Sequence, residues 1–186
     1  MSRENPVLVM LGDSLTEFWN WAPLNPKALV LNFGVSGDTT MGAWARLGEV
    51  LEVKPDKIFV QIGINDLSQG RSPLEVSLGH ARIWGEIRNI LGCGSILIVC
   101  SLTPLREDKF DWPSPNLNNE RVKQTNSLLK KAADLEKRTF VDLFSLISDD
   151  TGQLREDMSL DGAHLSAKAY GVWLEALRPY ATNNYL

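Results

Sequence analysis

The sequence predicts an α/β protein, a three-layer α/β/α sandwich around a five-stranded parallel sheet. Two observations carry that expectation: short apolar runs recur along the chain, and stretches with helical spacing of their apolar residues lie between them. The runs are Val7–Leu11, Leu29–Phe33, Ile58–Ile62, Ile96–Ser101 and Phe140–Leu143. All are nearly continuous in apolar character, as in parallel strands covered on both faces. No internal repeat or low-complexity segment interrupts the pattern, and one domain is expected over the 186 residues, enough chain for a substantial core.

Each helical stretch has its own justification. Ser14-Leu15-Thr16-Glu17 fits the S-x-x-E capping box, in which serine and glutamate satisfy the free N–H groups of a first turn. Thr39–Glu52 sets Met41, Ala45, Leu47 and Leu51 on one broad face. Pro73–Leu91 opens on a second capping box, Ser72-Pro73-Leu74-Glu75, presents Leu78, Ile83, Ile87 and Leu91, and ends at Gly92. Asn119–Lys137 and Ser166–Pro179 have the same character. Two connectors are long, Thr103–Asn118 and Ser148–Leu165, and long irregular loops in compact domains commonly carry function. The first contains Phe110 and Trp112 among prolines, which fits either a stiffened surface loop or a pocket wall.

Composition removes several classes of function. An apolar fraction of 44% and a charged fraction of 23% are those of a soluble globular protein. A net charge of −4 and a pI near 5.2 argue against nucleic acid or an anionic membrane as partner. No stretch approaches the ~20 apolar residues that span a bilayer, and Val7–Leu11 is too short for a signal peptide's apolar region. A cytoplasmic location is therefore expected. Cys93 and Cys100 lack metal-ligand spacing and read as free thiols. A homodimer is compatible with the sequence, which does not fix the oligomeric state.

Polar clusters follow the strands. Gly12-Asp13-Ser14 follows the first, Asn32 to Thr40 the second, Gly63-Ile64-Asn65-Asp66 the third, and Asp161-Gly162-Ala163-His164 closes the last long connector. Open α/β sheets bind ligands at the carboxyl ends of their strands, and in the flavodoxin-like order 2-1-3-4-5 the first three clusters are neighbours. Taken singly, each cluster is a cap, a turn or a tight bend. Together they hold the chemistry of acyl transfer. A serine hydroxyl needs a base within hydrogen-bond reach. Of the two histidines, His80 falls inside a helix and reads as structural or exposed, leaving His164. Asp161 can fix the tautomer of that imidazole and stabilise its charged form. The N–H groups of Ser14 and Gly37 and the Asn65 amide would supply an oxyanion hole, helped by the helix dipole at Ser14. Capping and nucleophilic roles for Ser14 are compatible.

These four clusters resemble the four sequence blocks of the SGNH hydrolase superfamily, the GDSL esterases and lipases. Gly12-Asp13-Ser14-Leu15 matches the first block with its nucleophile at Ser14, Gly37 the oxyanion glycine of the second, and Gly63-x-Asn65-Asp66 the third with its oxyanion asparagine. Asp161-x-x-His164 matches the last block. Within the superfamily, "LNFGVSGDTT" followed by "KPDKIFVQIGINDL" is similar to the catalytic subunits of intracellular platelet-activating-factor acetylhydrolases. The resemblance implies hydrolysis of a small-molecule ester, with a short acyl group, through a Ser-His-Asp triad and without metal or organic cofactor. Carbohydrate acetyl esterase, thioesterase and lysophospholipase activities remain open, because Trp19, Trp21, Phe110 and Trp112 could stack on sugars, wall an acyl pocket or lie in the core. A non-enzymatic flavodoxin-like module binding phosphate or flavin fits less well. Asp13 and Glu17 flank Ser14, a poor setting for a phosphate dianion, and Asp161-x-x-His164 would have no use.

Overall fold

Five apolar segments pair side by side, all parallel, in the computed structural model, which describes residues 5–92, 96–110 and 114–182. They are β1 (Val7–Gly12), β2 (Leu29–Gly34), β3 (Lys57–Gln61), β4 (Ile96–Cys100) and β5 (Thr139–Val141), in the order β2-β1-β3-β4-β5. The register sets Gly12 opposite both Gly34 and Gln61, so three strands end level with one another. Between them run α1 (Ser14–Glu17), α2 (Thr40–Ala45), α3 (Leu47–Glu52), α4 (Ile64–Ser68), α5 (Pro73–Leu91) and α6 (Asn119–Leu135), and after β5 come α7 (Leu143–Ile147) and α8 (Ala167–Leu177).

The period of two along each strand makes the layers. Leu8, Met10, Phe59, Ile98 and Cys100 face one side and pack with Trp21, Tyr170 and Trp173. Val9, Leu11, Ile58, Val60 and Val99 face the other, against Ala43, Leu47, Ile83, Trp84 and Ala133. A third cluster, with Leu67, Leu102, Leu105, Leu117, Phe144 and Ala163, fills the space under the long connectors. Among the described residues no helix is long and apolar enough to cross a membrane. Cys100 is a buried free thiol, and burial pushes it up to about 12; Cys93 lies outside the described residues.

Four expectations need correction. β2 is an edge strand, half open to solvent with Leu29 53% exposed, so continuous apolar character there does not mean two covered faces. The helix expected over 39–52 breaks at Arg46, which has φ −99° and ψ 9° and sends its guanidinium to Asp38 Oδ2 (2.8 Å) and the Gly12 carbonyl (3.1 Å). On α5, which keeps its expected bounds and its Ser72–Glu75 capping box, Leu78 is exposed. The helix's buried side includes Val76, His80 and Trp84 alongside Ile83 and Ile87. Met41 on α2 is likewise exposed.

The fourth correction concerns α1. Its cap is Asp13, whose Oδ1 accepts from Leu15 N at 3.0 Å, and not Ser14. Nor does Glu17 reach back to the cap: its carboxylate accepts from the Ser36 backbone N–H at 2.8 Å and from the Ser36 hydroxyl. The S-x-x-E spacing therefore mimics a capping box that the chain does not form.

Candidate active site

Three of the four polar clusters sit on turns leaving strands, and the fourth closes the long connector after α7. β1 ends at Gly12 and the chain turns at once into α1, which leaves the Ser14 side chain at the sheet's carboxyl edge. From 150 positions further along, His164 brings Nε2 to 3.2 Å from Ser14 Oγ. The other ring nitrogen, Nδ1, lies 2.6 Å from Asp161 Oδ2. Asp161 Oδ1 accepts the backbone N–H groups of Ala163 (2.9 Å) and His164 (2.7 Å), so one carboxylate both shapes the turn and orients the ring. Partial burial raises the Asp161 pKa, but the bonds from the His164 side chain and these two amides together outweigh it, holding the carboxyl below its ordinary value. It is therefore ionised at neutral pH. A carboxylate on Nδ1 leaves the lone pair of Nε2 facing the serine.

The turn carrying these two residues is held by the first long connector. Gly162 has φ +96°, and a Cβ there would lie 2.8 Å from the Phe110 Cα and 2.9 Å from the Arg106 carbonyl. Only glycine fits both the backbone and the space. Arg106 N donates to the Gly162 carbonyl (2.7 Å), while its guanidinium donates to the Leu154 carbonyl (2.7 Å) and Asp149 (2.8 Å). Arg106 thus joins both long connectors, a role invisible in the sequence because it depends on contacts more than forty positions apart. Phe110 packs against the third apolar cluster; Trp112, the other proposed wall residue, lies outside the described residues. Trp21 is core, and Trp19 stacks on Tyr170 at 4.5 Å. Phe18 is 59% exposed with its ring 5.6 Å from the His164 imidazole, an aromatic at the rim for which the sequence offered no signal.

The three expected donors come from three strand ends. Neither Ser14 N–H nor Gly37 N–H has an acceptor among the described residues. Asn65, in the first turn of α4 and 5% exposed, spends one amide hydrogen on the Asp38 carbonyl at 2.8 Å and keeps the second. Asp66, part of the third-block match and given no role of its own by the sequence beyond a turn, is fully buried and accepts both Thr40 N (2.8 Å) and Thr40 Oγ1 (2.7 Å), tying α4 to α2. Burial raises its pKa against those bonds. Of the two readings open for His80, structural or exposed, the structure shows the first. It is fully buried with Nε2 2.8 Å from the Ile62 carbonyl, and burial lowers its pKa to about 4, so the ring is neutral.

Asp13 has a cost that the sequence does not reveal. Burial pushes its carboxyl up to about 7, with the Asp38 and Asp66 charges adding to the effect and the Leu15 N–H opposing it. Its Oδ2 has no hydrogen-bond partner among the described residues. A carboxyl raised on folding favours the native state below its unfolded pKa and loses that contribution as pH rises through the folded value. The window runs from about 4 to about 7 and is worth on the order of 4 kcal/mol. Asp13→Asn keeps the acceptor for Leu15 without the charge. It is expected to raise the unfolding free energy at pH 8 by a few kcal/mol (~2–4) and to change it little at pH 4, as denaturant titrations at the two pH values would measure.

Family match and fold together define a carboxylic ester hydrolase of the SGNH type. The chain belongs to the GDSL-like lipase/acylhydrolase family, whose model matches residues 10–172. It is 27% identical over 181 residues to the rat platelet-activating factor acetylhydrolase IB subunit alpha1, covering 94% of this chain and 74% of the relative. An arylesterase of Vibrio mimicus is 34% identical over 103 residues, 47% of this chain and 52% of that protein. Among solved structures, a GDSL-like lipase from Bacteroides thetaiotaomicron superposes with a TM-score of 0.79 at 18% identity, over 94% of this chain and 87% of that one. This last likeness speaks for the fold alone.

Proposed function

We propose that the protein hydrolyses small esters of short, acetyl-type acyl groups, with Ser14 as nucleophile, His164 as general base and acid, and Asp161 as the carboxylate that orients it. The observation that carries this reading is the unbroken run of hydrogen-bond distances from Ser14 Oγ through both nitrogens of His164 to Asp161. Ser14 Oγ attacks the ester carbonyl carbon while His164 Nε2 takes the hydroxyl proton. The carbonyl oxygen becomes an oxyanion and accepts the free N–H groups of Ser14 and Gly37 and the unspent amide hydrogen of Asn65. As the tetrahedral adduct collapses, the C–O bond to the alcohol breaks and His164 returns the proton to the departing oxygen. Water then attacks the acyl-enzyme, with His164 taking its proton, and Ser14 leaves carrying that proton as the carboxylic acid is released.

The short acyl group rests on similarity to the acetylhydrolase subunit over nearly the whole chain. A buried free thiol at Cys100 fits a reducing compartment, and we place the reaction in the cytoplasm. Turnover of p-nitrophenyl esters from acetate to palmitate tests the acyl preference. Steep decline beyond butyrate is expected, and a preference for long chains would overturn it. Asn65→Ala is expected to lower kcat by about 10²–10³ with little change in KM, the cost of one preorganised oxyanion donor.

A further inference from the structure

The oxyanion donors are far apart in sequence, and hydrogen bonds outside the reacting groups set their spacing. Gly37 lies between two residues that are each tied elsewhere. On its carboxyl side the Asp38 carbonyl accepts the Asn65 amide at 2.8 Å, which fixes Gly37 relative to Asn65 and aims the amide's second hydrogen. On its amino side Ser36 donates both its backbone N–H (2.8 Å) and its hydroxyl to one oxygen of Glu17, at the end of the short helix that carries Ser14.

Other contacts hold the same two segments together. The Asn32 amide nitrogen shares its two hydrogens among the carbonyls of Thr16 (3.0 Å), Glu17 (3.1 Å) and Trp19 (3.1 Å), at and just beyond the carboxyl end of α1, while its Oδ1 accepts Gly34 N at 2.9 Å. Val35 N donates to the Gly12 carbonyl at 3.1 Å. At Gly34 the strand passes so close to α1 that a Cβ would sit 2.2 Å from the Glu17 nitrogen. Beyond Val35 no further backbone tie joins the two segments among the described residues, and Ser36 and Gly37 are exposed. The Glu17 carboxylate is the contact that reaches across to them.

From this we infer that Glu17 is a positioning residue of the oxyanion hole: its bonds to Ser36 hold the Gly37 N–H at the right distance from the Ser14 N–H. The inference rests on the ester-hydrolase roles proposed above for Ser14, Gly37 and Asn65. Charge alone argues the other way. A carboxylate close to a developing oxyanion repels it, so removing Glu17 would raise the rate if its field mattered more than its bonds. Positioning and repulsion therefore predict opposite signs for one substitution. Charge-assisted bonds from both donors of Ser36 are the strong kind, suited to holding an exposed turn.

Because Glu17 is exposed, its removal reports on geometry and not on folding. Steady-state kinetics on p-nitrophenyl acetate would compare Glu17→Ala, Glu17→Gln, Ser36→Ala and the Glu17→Ala/Ser36→Ala double variant, with thermal unfolding alongside. Glu17→Ala is expected to lower kcat by about 10–100-fold with KM within ~3-fold, as for a donor displaced by a fraction of an ångström. Glu17→Gln, which keeps an acceptor oxygen, recovers most of that loss. Ser36→Ala keeps the backbone bond and loses less, and the double variant is no slower than Glu17→Ala, since both changes break one contact. Affinity for a trifluoromethyl ketone, whose adduct places an oxyanion in the hole, falls in parallel with kcat. A Glu17→Ala enzyme as fast as the parent or faster, with Ser14→Ala inactive, overturns the positioning role alone. An active Ser14→Ala enzyme overturns the reading beneath it.

Discussion

Ser14→Ala is expected to lower kcat on p-nitrophenyl acetate by about 10⁴–10⁶-fold and to leave the melting temperature almost unchanged. The first half follows from the chemistry: without Oγ no acyl-enzyme forms, and the residual rate is what oriented water and the oxyanion donors provide. The second half follows from the structure. Had Ser14 capped α1, alanine would cost about 0.5–2 kcal/mol of helix stability and blur the kinetic result. The cap is Asp13, through its bond to Leu15 N, so the hydroxyl is free of that duty. Replacing it removes one hydrogen-bond partner of His164 and little else. A calorimetric scan beside the kinetics separates loss of chemistry from loss of fold.

Asp161→Asn produces the second large effect, through the tautomer. In the proposed triad the carboxylate accepts a hydrogen bond from the Nδ1–H of His164, which leaves Nε2 to accept from serine. An asparagine can turn its NH₂ to Nδ1, which then has to be the acceptor; the proton moves to Nε2, and the base faces Ser14 with the wrong end. Its Oδ1 can still accept the Ala163 and His164 amides, so the turn survives. The expected loss in kcat is about 10²–10⁴. It should fall below the upper figure because the Asp161 side chain is 54% exposed, and water screens its charge on the imidazolium. Proton NMR of the ring detects the change of tautomer independently of turnover.

The sequence showed the architecture and the groups proposed to react more fully than the parts that hold them. The existence of all five strands was legible because parallel, buried strands are continuous apolar runs, and β1, β3 and β4 are of that kind; their order was an expectation from the flavodoxin-like fold and not from the runs themselves. The same signal misled at β2, whose apolar side chains line an edge. Ser14, Asn65, Asp161 and His164 stood out because strand-end clusters of reactive residue types are uncommon together. The capping box at α1 failed for a physical reason: Ser14-x-x-Glu17 has the right spacing, but Asp13 is the stronger acceptor one position earlier, and Glu17 finds Ser36. Arg106, the close packing of the Gly162 turn against the first connector and the Asp66–Thr40 tie were illegible, since each depends on which distant backbone arrives beside it. Long-range positioning leaves no periodic trace.

The account as a whole depends on His164 activating Ser14, and fluorophosphonate labelling of the native protein followed by peptide mapping measures that most directly. The account predicts stoichiometric label on Ser14 alone, abolished by denaturation and by His164→Ala, because an unassisted serine hydroxyl is too weak a nucleophile to react. Label on a different residue, or label on Ser14 that survives unfolding or loss of His164, would contradict it.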